Sequence, residues 1–350
     1  MKHENHADYL QWLHHAEEEW FSISEEYIQY LSTLMMHRQA GREPYQLFVP
    51  QHGIGKEPRP LLVMLHGCGQ DAREFVESSM MNWLADKEGF MVLYPDIKFA
   101  HHRDNNFHNG MNGWNWWYEA NQERGHGETA AVADMVRDVK KTYSIDPERI
   151  YAAGISAGAA MAVNLAVAYP DLFSGIAAVA GLEYKAFSVP SGRADEAVYA
   201  MTKGGISSEK SGQLAYAEMK KSQLKLMPVI VFHGEEDCVV HRINADKLIE
   251  QWNYTNHLVL DEKSKPVLIE PDPLAGGRTR GKNFERRIYL DAQGQILMEK
   301  WYITGMDHAW PGGLRDRLFS DHDSPAASLD LWNFFMSRKI NSRHKAQENR

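Results

Sequence analysis

Cysteine is nearly absent: Cys68 and Cys238 are the only two in 350 residues. Two thiols cannot build a disulfide framework or a four-cysteine metal centre. There is no basic excess either. The 38 Lys and Arg face 47 Asp and Glu, a formal charge of −9, so nucleic acid is not an expected partner. No apolar run approaches the roughly 18 residues of a membrane span, so no membrane partner is expected. The opening MKHENHADYLQWLHHAEEEW puts Glu4, Asp8 and three glutamates where a secretory leader would carry an apolar core, and the expectation is cytoplasmic. No internal repeat is visible, and proline does not occur before Pro44. What remains, 43% hydrophobic and 24% charged residues, is ordinary globular composition. The length suits one large α/β domain or two smaller ones.

The pattern changes once along the chain. Residues 5–40 read as helical, because Tyr9, Leu10, Leu13, Trp20, Phe21, Tyr27, Ile28, Leu31, Leu34 and Met35 recur at three- and four-residue spacings. This N-terminal helical extension, 1–42, is expected to pack on the main domain; dimerisation, and hence a homo-oligomer, or a substrate-access cap are the alternatives. From residue 43 short apolar runs alternate with helical segments, the mark of βα units on a largely parallel sheet. Strands are expected at Tyr45–Val49, Pro60–Leu65, Phe90–Tyr94, Arg149–Ala153, Phe173–Ala180 and Val229–Phe232. Helices are expected at Asp71–Glu88, Gly127–Tyr143, Ala157–Ala168, Asn244–Trp252 and Ala327–Met336. Residues 98–126 lack periodicity and read as a long loop, a feature uncommon unless functional. Asp291-Ala292-Gln293-Gly294 between two apolar runs signals a hairpin. The catalytic domain is thus drawn over 43–340, with a polar insertion at 183–225 and a charged tail at 341–350.

Gly154-Ile155-Ser156-Ala157-Gly158 lies between an expected strand and an expected helix. A serine hydroxyl attacks only when a base takes its proton and the backbone presents it openly. A tight strand–turn–helix does this, and glycines two residues either side make the bend possible. The bare pattern arises by chance in roughly one sequence in ten; its placement after RIYAA and before a helix of small residues singles it out.

With 17 histidines in the chain, finding one proves nothing. Order decides: in α/β hydrolases the acid follows the serine and the histidine follows the acid. After the strand VIVF comes His233-Gly234-Glu235-Glu236-Asp237, and Asp237 is chosen over its rivals Glu235 and Glu236. His308, in Met306-Asp307-His308-Ala309-Trp310, follows the last strand and can reach back to Ser156. His66 and His233 sit at strand ends beside glycine and read as loop braces. Asp307 adjoins His308 and is poorly placed to meet the far ring nitrogen. The oxyanion needs two preorganised N–H donors. They are assigned to Ala157 and to Cys68 in His66-Gly67-Cys68-Gly69, with Gly69 the fallback and Gln70 able to brace the loop through its amide. Cys238 adjoins the acid, so the two thiols can be close; a disulfide would need an oxidising compartment. A zinc site is not expected, because further thiolate partners are missing.

Seven segments, HGCGQDAREF, GWNWW, RGHGETAAVADMV, DPERIYAAGISAGAAM, YPDLFSGIAAVAGL, HGEEDCVVHRINA and GMDHAWPGG, occur in this order. Together, over roughly residues 43–340, the chain resembles the esterase family of polyhydroxybutyrate depolymerases, which includes feruloyl and acetylxylan esterases. The resemblance implies an α/β-hydrolase fold, with helices on both faces of a mostly parallel sheet, and ester hydrolysis without metal or cofactor. It places the family's triad on Ser156, Asp237 and His308 and its oxyanion loop on HGCGQ. Two departures stand out. Many relatives carry threonine where Cys238 sits. Secreted members begin with a signal peptide, whereas about 40 acidic, helical residues precede this domain, so solid extracellular polymer is not the expected substrate.

Trp310, two residues past the histidine, and Trp114 and Trp116 of the Trp114–Trp117 cluster are candidate walls of the substrate pocket, with Gln70 beside them; core packing is the competing role for each tryptophan. A small or oligomeric ester, short-chain or hydroxyalkanoate, is the expected substrate, with feruloyl or acetylxylan esters the alternative. A silent α/β-hydrolase that only binds is the reading from another class.

Overall fold

The computed structural model describes residues 16–41, 43–52, 57–96, 112–190, 194–261, 272–279 and 282–348. The helix expected over 5–15 and the part of the long loop up to 111 lie outside the described residues. Ten strands form one sheet: β1 (Met36–Ala40), β2 (Glu43–Phe48), β3 (Arg59–Leu65), β4 (Met91–Pro95), β5 (Ile145–Ile155), β6 (Ile176–Val179), β7 (Val229–Gly234), β8 (Asp272–Thr279), β9 (Lys282–Leu290) and β10 (Ile296–Ile303). Their spatial order is β1-β2-β4-β3-β5-β6-β7-β10-β9-β8. The centre, from β4 to β10, is parallel; β1–β2, β2–β4, β10–β9 and β9–β8 are antiparallel. The hairpin expected at Asp291–Gly294 is the β9–β10 connection.

The period of two along each central strand divides the core into two layers. Leu61, Val63 and Leu65 of β3, with Ile150 and Ala152 of β5, pack under α4 (Gly127–Thr142), α5 (Ala157–Ala168) and α8 (Ile243–Leu260). Leu62, Met64, Tyr151, Ala153 and Ile155 face the other way, against α2 (Ala72–Ser79), α3 (Met81–Glu88) and α9 (Ala327–Glu348). Near-continuous apolar strands are what a parallel sheet covered on both faces requires. Every residue of α5 is buried, which explains its composition: AGAAMAVNLAVA brings a helix close to the sheet with little bulk.

Several expectations need correction. Residues 36–40 are not helical. Beyond a helical stretch at 16–22 and α1 (Glu25–Thr33), the chain turns at Gly41 (φ 62°), and β1 pairs antiparallel with β2. The boundary drawn after residue 42 therefore falls inside a hairpin. The single helix expected over 71–88 is two, broken at Met80 in the left-handed region (φ 55°, ψ 18°). α8 runs on to Leu260, and α9 continues through most of the expected charged tail, to Glu348. The 183–225 insertion carries α6 (Ala194–Lys203) and α7 (Ser208–Met219). Among the described residues no helix is long and apolar enough to cross a membrane.

Parallel strands end at one edge of the sheet. That edge gathers the segments that follow β3, β5, β6, β7 and β10, which is where open α/β sheets place ligands.

Candidate active site

β5 ends at Ile155, and Ser156 takes φ 57° and ψ −122° before α5 begins at Ala157. A non-glycine residue there is strained, and the surroundings must hold it. The Ser156 amide donates to Val179 O at 2.9 Å, and its carbonyl accepts from Ala160 at 3.1 Å. The flanking glycines are steric necessities. A Cβ on Gly154 would lie 2.5 Å from the Gly158 backbone, and one on Gly158 would lie 2.1 Å from Leu65 O. Ala157 opens α5, so its N–H has no acceptor within the helix, and the helix end favours negative charge.

Asp237 and His308 meet. His308 Nδ1 lies 2.8 Å from Asp237 Oδ2, a bond between the loops that follow β7 and β10. With Nδ1–H donated to the carboxylate, Nε2 carries the lone pair. The other carboxylate oxygen of Asp237 accepts from the amides of Val239 at 2.9 Å and Val240 at 2.8 Å. The rivals are accounted for: Glu235 pairs with Arg242, and Glu236 is exposed. Ser156, Asp237 and His308 are 7%, 6% and 7% exposed, so charges that develop there are weakly screened.

Three neighbours surround this pair: His233 and Asp307, which the sequence singled out only as a loop brace and a poorly placed acid, and Phe319, which sequence reasoning missed. His233 is fully buried, donates from Nε2 to Val240 O at 2.7 Å, and lies 3.4 Å from Asp237 Oδ2. Burial pushes its pKa down, against the pull of Asp237, so it stays neutral behind the acid. Phe319 stands edge-on to the His308 ring, centroids 5.7 Å apart. It too has a positive φ, 53°, and its carbonyl accepts from the Trp310 amide at 2.7 Å. Asp307, set aside as a partner for the ring, accepts backbone N–H groups instead: Cys238 at 3.1 Å and His308 at 2.7 Å. No local pattern announces these contacts; only the HG dipeptide at the end of β7 hinted at a brace.

The loop after β3 is built around Gln70. Its Oε1 accepts from the Gly67 amide at 3.1 Å, and its Nε2 donates to Leu318 O at 3.1 Å. One buried amide thus ties the 66–70 loop to the segment carrying Phe319. Asn112 donates to Gln70 O at 2.6 Å, and the Trp114 indole donates to His66 O at 3.0 Å. His66 Nδ1 bonds Gly67 O at 2.9 Å, and burial pushes its pKa down. The Cys68 side chain is directed into packing: a Cβ on Gly113 would lie 2.0 Å from its Sγ. Burial, then Glu128, pushes that thiol up to about 11. Both cysteines are free, Cys68 half-buried and Cys238 exposed, so the contemplated disulfide is not formed.

The three tryptophans considered as pocket walls, Trp310, Trp114 and Trp116, are all buried. Trp310 has no exposed surface, stacks edge-on with Phe75 at 5.2 Å and donates its indole N–H to Ser328 Oγ at 3.1 Å. The expectation that it walls a pocket is corrected: a residue out of contact with solvent, with its polar atom satisfied, is core. Trp114 and Trp116 are buried with the layer above β3 and β5, in a loop fixed by Glu128. That carboxylate accepts from the Asn115 amide and side chain and from the Asn121 side chain, at 2.9–3.0 Å. Among the described residues no group of three or more His, Cys, Asp or Glu is arranged to hold a metal ion.

Sheet order, crossovers and the strained serine after β5 define an α/β hydrolase. An acetyl xylan esterase from Aspergillus awamori superposes with a TM-score of 0.65, over 86% of this chain and 98% of that one, at 18% identity, which is a likeness of fold. Residues 44–264 match the family model described as Esterase PHB depolymerase, and the chain belongs to that family. Poly(3-hydroxyalkanoate) depolymerase C of Paucimonas lemoignei is 32% identical over 245 residues, 67% of this chain and 51% of that protein. A probable acetylxylan esterase A of Aspergillus flavus is 25% identical over 189 residues, 52% of this chain and 57% of that protein. The chain therefore spans about half the length of the curated relatives it matches.

Proposed function

We propose that the protein hydrolyses carboxylic esters through Ser156, His308 and Asp237, with the amides of Cys68 and Ala157 as the oxyanion hole. The observation that carries the reading is the His308–Asp237 hydrogen bond, at the sheet edge where β5 presents Ser156 in a strained elbow. His308 Nε2 takes the proton from Ser156 as Oγ bonds to the ester carbonyl carbon, and the carbonyl electron pair moves to oxygen. Two backbone donors receive that oxyanion. Asp237 keeps the imidazole tautomer and stabilises the imidazolium. The imidazolium then protonates the leaving alkoxide, and the alcohol departs. Water, deprotonated by the same imidazole, attacks the acyl-enzyme and releases the acid and the serine.

Hydroxyalkanoate esters are the substrate class we favour, because the depolymerase relative matches two thirds of this chain, more than the acetylxylan esterase relative does. The test is a panel of p-nitrophenyl acyl esters, 3-hydroxybutyrate oligomers, acetylated xylan and methyl ferulate, run on the wild type and Ser156→Ala. Turnover of hydroxybutyrate oligomers above the other natural esters, lost by several orders of magnitude in Ser156→Ala, is expected. Equal esterase activity in that variant refutes the mechanism; preference for xylan acetate or ferulate refutes the substrate class.

A further inference from the structure

Asp307 is left over by this chemistry. Its Oδ1 accepts from the amide of Cys238, the residue after the acid, at 3.1 Å, and from the amide of His308 itself at 2.7 Å. Its Oδ2 accepts from the Cys238 thiol at 3.7 Å. One carboxylate therefore joins the loops after β7 and β10, 69 residues apart in sequence. The Cys238 amide and then the His308 amide hold its carboxyl below the usual carboxylate range, so it is ionised at neutral pH. The side chain is exposed, and its charge interacts with His308.

We propose that Asp307 is a positioning residue of the reaction. It fixes the histidine backbone to the acid loop and keeps a negative charge beside the imidazole as that ring becomes an imidazolium. The inference rests on the reading of Ser156, Asp237 and His308 as the reacting line. Among the described residues, the groups recorded around this ring are Asp237 on Nδ1, His233, neutral behind that carboxylate, and the uncharged edge of Phe319. Asp307 thus adds an exposed anion, bonded to the histidine's own amide, to the buried Asp237 on the ring.

Asparagine separates its two contributions, because an amide oxygen still accepts N–H bonds but carries no charge. The experiment measures kcat and KM for p-nitrophenyl butyrate from pH 5 to pH 8, at low and high salt, on the full chain. Wild type, Asp307→Asn, Asp307→Ala and Ser156→Ala are compared. In Asp307→Asn the acid limb is expected to move to lower pH by a few tenths of a unit, because an exposed charge acts through high dielectric, and the displacement should shrink in high salt. Asp307→Ala should lose about tenfold or more in kcat with KM held within about twofold, because misplaced catalytic groups cost rate rather than binding. Asp307→Asn should lose less. An unmoved acid limb in Asp307→Asn, or wild-type kcat in Asp307→Ala, overturns the proposal. If Asp307→Ala fails to fold, the Asp307→Asn profile still decides. Activity in Ser156→Ala would refute the underlying mechanism instead, a separate outcome from an unmoved limb alongside an inactive Ser156→Ala.

Discussion

Glu183, four residues beyond Val179 at the end of β6, offers a quantitative test of the packing above the sheet edge. The side chain is buried, and among the described residues neither carboxylate oxygen has a hydrogen-bond partner at ordinary geometry. Burial pushes its pKa from 4.5 up to about 7, while the nearby Glu183 and Gly205 amides and the Lys247 ammonium pull the other way. Lys247 is occupied elsewhere, donating to Gly205 O at 3.2 Å and Ile206 O at 2.6 Å. A carboxyl whose pKa is higher folded than unfolded favours the native state while protonated. That contribution is complete below about pH 4.5, is lost as pH rises, and is gone above about pH 7. At about 1.4 kcal/mol per pH unit, the loss is about 3 kcal/mol. Glu183→Gln cannot ionise, so the difference in unfolding free energy between wild type and variant isolates this one group. Urea denaturation across pH 4 to pH 8 should show a constant offset at the acid end. The variant should then gain about 3 kcal/mol on the wild type by the alkaline end, or on the order of 5 °C in melting temperature. Parallel stability curves for the two proteins would refute the assignment of a desolvated, unpaired carboxylate at this position.

Two further substitutions probe the elbow and the loop facing it. Gly158→Ala would put a methyl group 2.1 Å from Leu65 O and 2.5 Å from His66 O, backbone atoms that cannot step aside. It should cost about 3 kcal/mol or more in a denaturation midpoint, and a wild-type midpoint would contradict the packing. Gln70→Ala removes both the acceptor for the Gly67 amide and the donor to Leu318 O. It should lower kcat by roughly 10- to 100-fold through a loosened 66–70 loop, the proposed source of an oxyanion donor, and wild-type kcat would show that the loop is held by other means.

What could be read in advance follows from how local each requirement is. The elbow was legible because the steric demand for glycine at 154 and 158 acts within five residues of the serine. The meeting of Asp237 and His308 was legible from distance past a strand and from chain order, and the central strands from continuous apolar runs. β1 was not: Met36-His37-Arg38-Gln39-Ala40 is compatible with a helix, and only pairing with β2 across the Gly41 turn makes it a strand. The break between α2 and α3 falls on a methionine in the left-handed region, with neither glycine nor proline to announce it. Tryptophan types give no sign of whether they line a pocket or fill a core, and Trp310 fills one. The Gln70–Leu318 and Trp20–Gly312 hydrogen bonds join residues 248 and 292 positions apart, so no periodicity can encode them. Trp20 donating to Gly312 O at 2.7 Å, and Arg317 pairing with both Glu25 and Glu77, seat the N-terminal helices on the segment that follows His308.

The central claim is that Ser156 is a nucleophile activated by His308. Labelling the intact protein with a fluorophosphonate and locating the adduct by mass spectrometry tests it most directly, because the reagent is attacked only by an activated hydroxyl. A single adduct on the peptide containing Ser156, formed orders of magnitude more slowly in His308→Ala, is the predicted result. An adduct on another residue, or an undiminished rate in His308→Ala, would contradict it.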